Sequence, residues 1–85
     1  LSAQFDLDAG AEGVVITKVS PGSDAARKDL RPGDLILEVN QEEVSTPAGA
    51  EKRIKQAKSD GYKTVLLLVS RRGDERFESV RFKAG

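Results

Sequence analysis

Leu30-Arg31-Pro32-Gly33-Asp34-Leu35-Ile36-Leu37-Glu38-Val39-Asn40 is the stretch whose reading decides the fold. Pro32 presets the first corner of a type II turn, and Gly33 supplies the positive φ that its second corner needs. Leu35 to Val39 follows as a strand, apolar except at Glu38, and Asn40 to Glu43 turns the chain.

Upstream, Gly13 opens a β-branched run, Val14-Val15-Ile16-Thr17-Lys18-Val19, which reads as a strand ended by the turn Ser20-Pro21-Gly22. Ser23 is an N-cap, with Asp24 at the first helical position where the helix dipole favours an anion. Only Asp24 to Lys28 remain for that helix, so it is short. Residues 1–7 place Leu1 and Phe5 four apart behind Ser2, the spacing of one capped helical turn, and Asp8 to Glu12 reads as loop.

Downstream, Thr46-Pro47 starts a second helix, with threonine as cap and proline where its missing N–H does no harm. Ala50, Ile54 and Ala57 recur at helical spacing, Glu51, Lys52, Arg53 and Lys55 lie mostly on the wet side, and Gly61 ends the helix as a left-handed cap. Tyr62 to Ser70 is the strongest strand signal, its Val65-Leu66-Leu67-Leu68-Val69 apolar on both faces as for a central strand. Arg72-Gly73-Asp74 is a hairpin turn, although it matches a cell-adhesion tripeptide, and it leads into a last strand from Arg76 to Phe82. Strand, short helix, strand, longer helix and two closing strands make an α+β chain: a small barrel or sandwich capped by two helices.

The composition narrows the chemistry. Eighty-five residues amount to one small domain. Fourteen basic and fourteen acidic side chains cancel, without the basic excess that nucleic-acid binding requires. No histidine and no cysteine are present, which excludes a Ser-His-Asp triad, a thiol nucleophile, a disulfide frame and His- or Cys-based metal sites. Glu42 and Glu43 are adjacent acids on a turn, the usual solvated surface. Gly10 and Gly13 lack the helix that a dinucleotide loop needs behind them. The longest apolar run, Val65 to Val69, is strand-sized and too short to span a bilayer. The expectation is a non-catalytic domain without cofactor or metal, binding no nucleic acid and inserting into no membrane.

Three segments, taken in order, resemble the PDZ domains of bacterial proteases: Gly13-Val14-Val15-Ile16 with Val19, Pro21-Gly22-Ser23 and Ala25-Ala26; Leu30 to Ile36 with Val39-Asn40; and Pro47 to Ala57 with Val65 to Val69 and the closing hairpin. The resemblance covers residues 13 to 82, and the terminal hairpin matches the permuted strand order of bacterial members. The triple leucine and the Arg71-Arg72-Gly73-Asp74-Glu75-Arg76-Phe77 run look like the second PDZ domain of Do-type (DegP/HtrA-like) serine proteases. The resemblance implies a module that binds unfolded substrates or C-terminal peptides for an attached periplasmic protease domain. It also implies a groove between a strand and the second helix, with Val14, Val15 and Ile16 on one wall and Pro47, Ala50, Glu51 and Ile54 on the other. Ala50 and Ile54 are equally explained as core packing. Two alternatives stay open: a contact module between neighbouring subunits of the protease, or a PDZ domain of another membrane-associated or processing protease. By itself the chain is expected to be monomeric.

The physical basis of such binding is general. A strand with an unpaired edge beside a helix offers main-chain hydrogen bonds to an extended segment, and the pockets between them give preference. The family adds an apolar-Gly-apolar loop that holds a terminal carboxylate. Here the nearest candidate is Phe5-Asp6-Leu7, with an anion in place of glycine, so the receiving strand and its loop are expected upstream of Leu1, with residues 1–12 as a connecting segment. Asp29 and Gln41 stand where the family often has glycine, and each costs roughly 1 kcal/mol if its φ is positive.

Overall fold

The computed structural model describes residues 5–10 and 13–82. They form six strands and two helices: β1 (Phe5–Ala9), β2 (Val14–Val19), α1 (Asp24–Arg27), β3 (Leu35–Val39), β4 (Glu42–Glu43), α2 (Pro47–Ser59), β5 (Thr64–Arg71) and β6 (Asp74–Arg81). All pairings are antiparallel in one sheet of order β1-β2-β3-β5-β6, with β4 folded back on β3. The sheet stays open, so β1 and β6 are its two edges.

Turn and cap chemistry places these elements as the side chains dictate. Gly33 takes φ 98°, and Asp34 N–H closes the turn on Arg31 C=O at 3.1 Å. Ser23 Oγ accepts from Ala26 N–H, and Thr46 Oγ1 accepts from Gly49 N–H at 3.0 Å, capping α1 and α2. Gly61 at φ 93° lets Tyr62 N–H reach back to Ala57 C=O and its own N–H to Lys58 C=O, the paired bonds of a Schellman ending. Arg72 (52°) and Gly73 (86°) make the two-residue hairpin between Arg71 and Asp74. Asp29 (64°) and Gln41 (68°) do adopt the left-handed conformation.

The core is continuous from Phe5 through Val14, Ile16, Ile36, Val39, Leu67 and Val69 to Val80, with Ala25 and Ala50 closing it from the helices and Leu30 from the segment after α1. Asp34 is the single buried charge among the described residues, 2% exposed. Arg71 on β5 and the Arg31 N–H satisfy it, and Arg71 and Arg76 both donate to Asp29 C=O, at 2.7 and 3.2 Å, so the segment after α1 is tied to β5 and β6.

Several readings change. The helical turn placed over residues 1–7 fails in its described part, because Phe5–Ala9 is a strand; residues 1–4 lie outside the described residues. Pairing with β2 supplies partners along five residues, which one isolated helical turn lacks. The strand expected from Tyr62 begins at Thr64, because Tyr62 is spent on the Schellman ending and lies 63% exposed. β5 is central as expected, but only Val65, Leu67 and Val69 are buried; Leu66 and Leu68 are half-covered on the outer face.

Candidate functional site

The phase of the hydrogen-bond ladder determines what β1 offers. Ile16 spends both main-chain groups on the β3 side, donating to Asp34 C=O at 2.8 Å and accepting from Gly33 N–H at 2.7 Å. Its neighbour Val15 therefore faces β1, where Asp8 lies opposite. Gly10 N–H donates to Gly13 C=O at 3.1 Å in the same phase. Asp8 and Gly10 thus point inward, and Leu7 and Ala9 point away from the sheet. No strand pairs this outer edge among the described residues. Asp8 Oδ1 accepts the Ala9 N–H at 2.8 Å, which leaves the Leu7 N–H and the Leu7 and Ala9 carbonyls open on that edge.

α2 packs on the sheet and touches β5, β3 and β1. Its buried stripe is Ala50 and Ala57. On one flank Gly49, Arg53, Gln56 and Asp60 line a hollow against Val39, Asn40, Glu42 and Tyr62, and Arg53 pairs with Glu42 of β4. At 100° per residue the opposite flank, toward β1, carries Pro47, Glu51, Ile54 and Lys58. Ile54 and Leu7 both pack against the core, while Pro47 and Glu51 are half-buried. An extended segment added to the β1 edge would meet these main-chain groups on one side and a mixed-charge flank of α2 on the other, in a slot between the two elements.

Of the seven groove positions named from sequence, Pro47, Glu51 and Ile54 lie on this flank. Ala50 does not line it: it is fully buried in the core, the packing role that its helical spacing also allowed. Val14, Val15 and Ile16 are a correction. β2 is flanked by β1 and β3, so its main chain is already paired, and Val14 and Ile16 are fully buried. The open main-chain groups lie instead on Leu7 and Ala9. The signal for that strand was the alternation Phe5-Asp6-Leu7-Asp8, whose burial runs buried, exposed, half-buried, exposed.

Charge on this edge is negative, since Asp6 and Asp8 are exposed on β1. Among the described residues no group of three or more acidic side chains could hold a metal ion, and no helix is long and apolar enough to cross a membrane.

Known proteins resemble this chain in sequence and in fold. A protein of Brucella suis biovar 1, "Probable periplasmic serine endoprotease DegP-like", is 42% identical over 66 residues, 78% of this chain and 13% of that protein. The magnetosome formation protease MamE of Paramagnetospirillum magneticum is 44% identical over 78% of this chain and 9% of its own length. This chain therefore spans about an eighth or less of these relatives. The HtrA3 PDZ domain bound to a phage-derived ligand (FGRWV) superposes with a TM-score of 0.75 at 19% identity, covering 94% of this chain and 82% of that one. An HtrA-type protease, an AlgW variant with a decapeptide, gives 0.72 at 22% identity over 93% of this chain and 27% of its own. The two structures share the fold, and the PDZ domain family model matches residues 2–70. With the family model covering most of its length and its sheet and helices in the same arrangement, the chain belongs to the PDZ domain family.

Proposed function

We propose that this domain is the non-catalytic peptide-binding module of a DegP/HtrA-like serine protease, and that it takes extended segments of unfolded protein by strand addition to β1. The observation that carries the reading is the outward phase of Leu7 and Ala9 on an unpaired edge that α2 adjoins. An added strand gains two to three main-chain bonds there, each worth about 1 kcal/mol net. Most of the affinity must then come from an apolar side chain set between Leu7, Ile54 and Pro47. Asp6 and Asp8 disfavour a terminal carboxylate beside β1, so internal segments, and those carrying Lys or Arg, suit this slot best. The peptides seen with the HtrA3 domain and the AlgW variant are in keeping with this mode. The DegP-like relatives support a periplasmic setting and an attached protease domain.

The reading is tested by titrating unstructured apolar-basic peptides onto the isotopically labelled chain. Saturable amide shifts are expected at Leu7, Ala9, Glu51 and Ile54. Shifts confined to β6 or to the outer face of the sheet, or none that saturate, would overturn it.

A further inference from the structure

We propose that the opposite edge of the sheet is a self-association surface: two copies of this chain pair their β6 strands antiparallel about a two-fold axis at Phe77. The ladder again gives the phase. Phe82 N–H donates to Lys63 C=O at 2.9 Å, so the even-numbered residues of β6 face β5 and residues 75, 77, 79 and 81 face outward. Arg81 bears this out, its N–H going to Asp24 Oδ2 at 2.8 Å. The outward main-chain groups of Glu75, Phe77 and Ser79 have no partner among the described residues. β6 pairs with β5 over eight residues without a bulge and contains no proline, so two of the devices that blunt an edge are missing. At the centre of the open stretch Phe77 is 57% exposed.

The occupant is identified by complementarity. With the axis at Phe77, Phe77 meets Phe77, Glu75 meets Ser79, and every outward group of the three residues finds a bonding partner. Arg76 of one copy lies opposite Glu78 of the other. Since Arg76 and Glu78 already pair within the strand at 2.6 Å, the four side chains alternate in sign around the axis. The neighbouring bonding registers set Arg76 on Arg76 or Glu78 on Glu78, and like charges directly opposed are unfavourable. A formal net charge of zero adds no long-range repulsion. Asp24 holds the Arg81 N–H, so the pairing ends at Ser79. The contact is small, so the chain is monomeric when dilute and dimeric only when concentrated. It leaves the β1 slot, at the far edge, open.

Cysteine cross-linking tests both the pairing and its register, because the chain has no cysteine of its own. Facing residues in a bonded antiparallel pair have Cα atoms about 5.5 Å apart, within disulfide reach. Phe77→Cys is expected to cross-link about tenfold faster than Ser79→Cys, whose equivalents face Glu75 rather than each other. Sedimentation of the unmodified chain is expected to show a dimer rising with concentration, and Phe77→Lys to remain monomeric with an unchanged thermal midpoint. Equal cross-linking rates, a chain monomeric up to millimolar concentration, or a dimer that survives Phe77→Lys would each overturn the proposal.

Discussion

Arg71 grips Asp34 with two parallel bonds, Nε to Oδ1 and Nη2 to Oδ2, both 2.8 Å long. The pair joins β5 to the turn that launches β3, and the same guanidinium reaches Asp29 at the end of the α1 segment. Asp34→Ala would strip Arg71 of its fork partner and leave the Arg31 N–H without its acceptor. The expected loss is about 2–3 kcal/mol, the low end for breaking a buried pair because Arg71 is partly wet. Chemical denaturation measures it. Arg71→Lys keeps the charge but not the fork, so it should destabilise in the same direction and by less.

Acid should loosen the same joint. Burial works to raise the Asp34 carboxyl, but the Arg71 bonds, the Arg31 N–H and the charge of Arg76 outweigh it, so the group titrates below the ordinary carboxylate range. A carboxyl depressed by folding stabilises the native state above its unfolded pKa, and that contribution disappears as pH falls through the folded value. The thermal midpoint should therefore hold from neutrality to about pH 4 and fall below it. Asp29 is lowered too, first by its Arg31 hydrogen bond, and steepens the same limb. Asp34→Asn, less stable at neutral pH, should show a shallower fall.

Gly13 marks the closest approach of the β1–β2 turn to β3. A Cβ there would stand 2.5 Å from the Ile36 carbonyl oxygen and 3.0 Å from Leu37 Cδ2. The first neighbour is backbone already committed to the sheet, so Gly13→Ala should cost about 1–3 kcal/mol through displacement of β3. An unchanged denaturation midpoint would show that the strand can shift freely.

Gln41 is the converse case. It sits at φ 68° beside Asn40 at φ 52°, the pair of positive angles that a type I′ hairpin demands. Gln41→Gly creates the Asn-Gly turn and should stabilise by about 0.5–1 kcal/mol, the left-handed strain less the entropy of glycine. Denaturation of this variant, exposed and remote from β1, checks the figure.

The turn at Asn40-Gln41 was legible from sequence because turns are local, as were Pro32-Gly33 and Arg72-Gly73, but Glu42 and Glu43 were read as part of the turn and not as the strand β4 that pairs back on β3. The caps at Ser23, Thr46 and Gly61 were legible for the same reason. The helix itself was readable from its cap and period, whereas Pro47, Glu51 and Ile54 were named for the groove only through the family resemblance. The strand wall was not readable. Phe5-Asp6-Leu7-Asp8-Ala9 is five residues long, compatible with either period until β2 supplies a partner. Val14-Val15-Ile16 was correctly read as a strand, but whether a strand is an edge or an interior one depends on β1 and β3, which are tertiary facts. Ala50 shows the same limit, because helical spacing cannot separate a core position from a groove position one residue away.

The slot itself yields the last expectation. Asp8 holds the Ala9 N–H with its own side chain, so an incoming strand must displace a carboxylate from a donor it needs. This intrastrand bond is the kind of device by which an edge is kept from indiscriminate pairing. Asp8→Ala removes both the competitor and one negative charge. For a neutral apolar peptide, affinity should rise by roughly fivefold, about the worth of one exposed main-chain bond. For a basic peptide the gain should be smaller, since the lost charge offsets part of it. Ile54→Ala should weaken both alike by removing the apolar wall. Calorimetry with the two peptides on the three chains separates the effects. An Asp8→Ala chain that binds the neutral peptide no better than the parent would mean that the Ala9 N–H takes no part in capture.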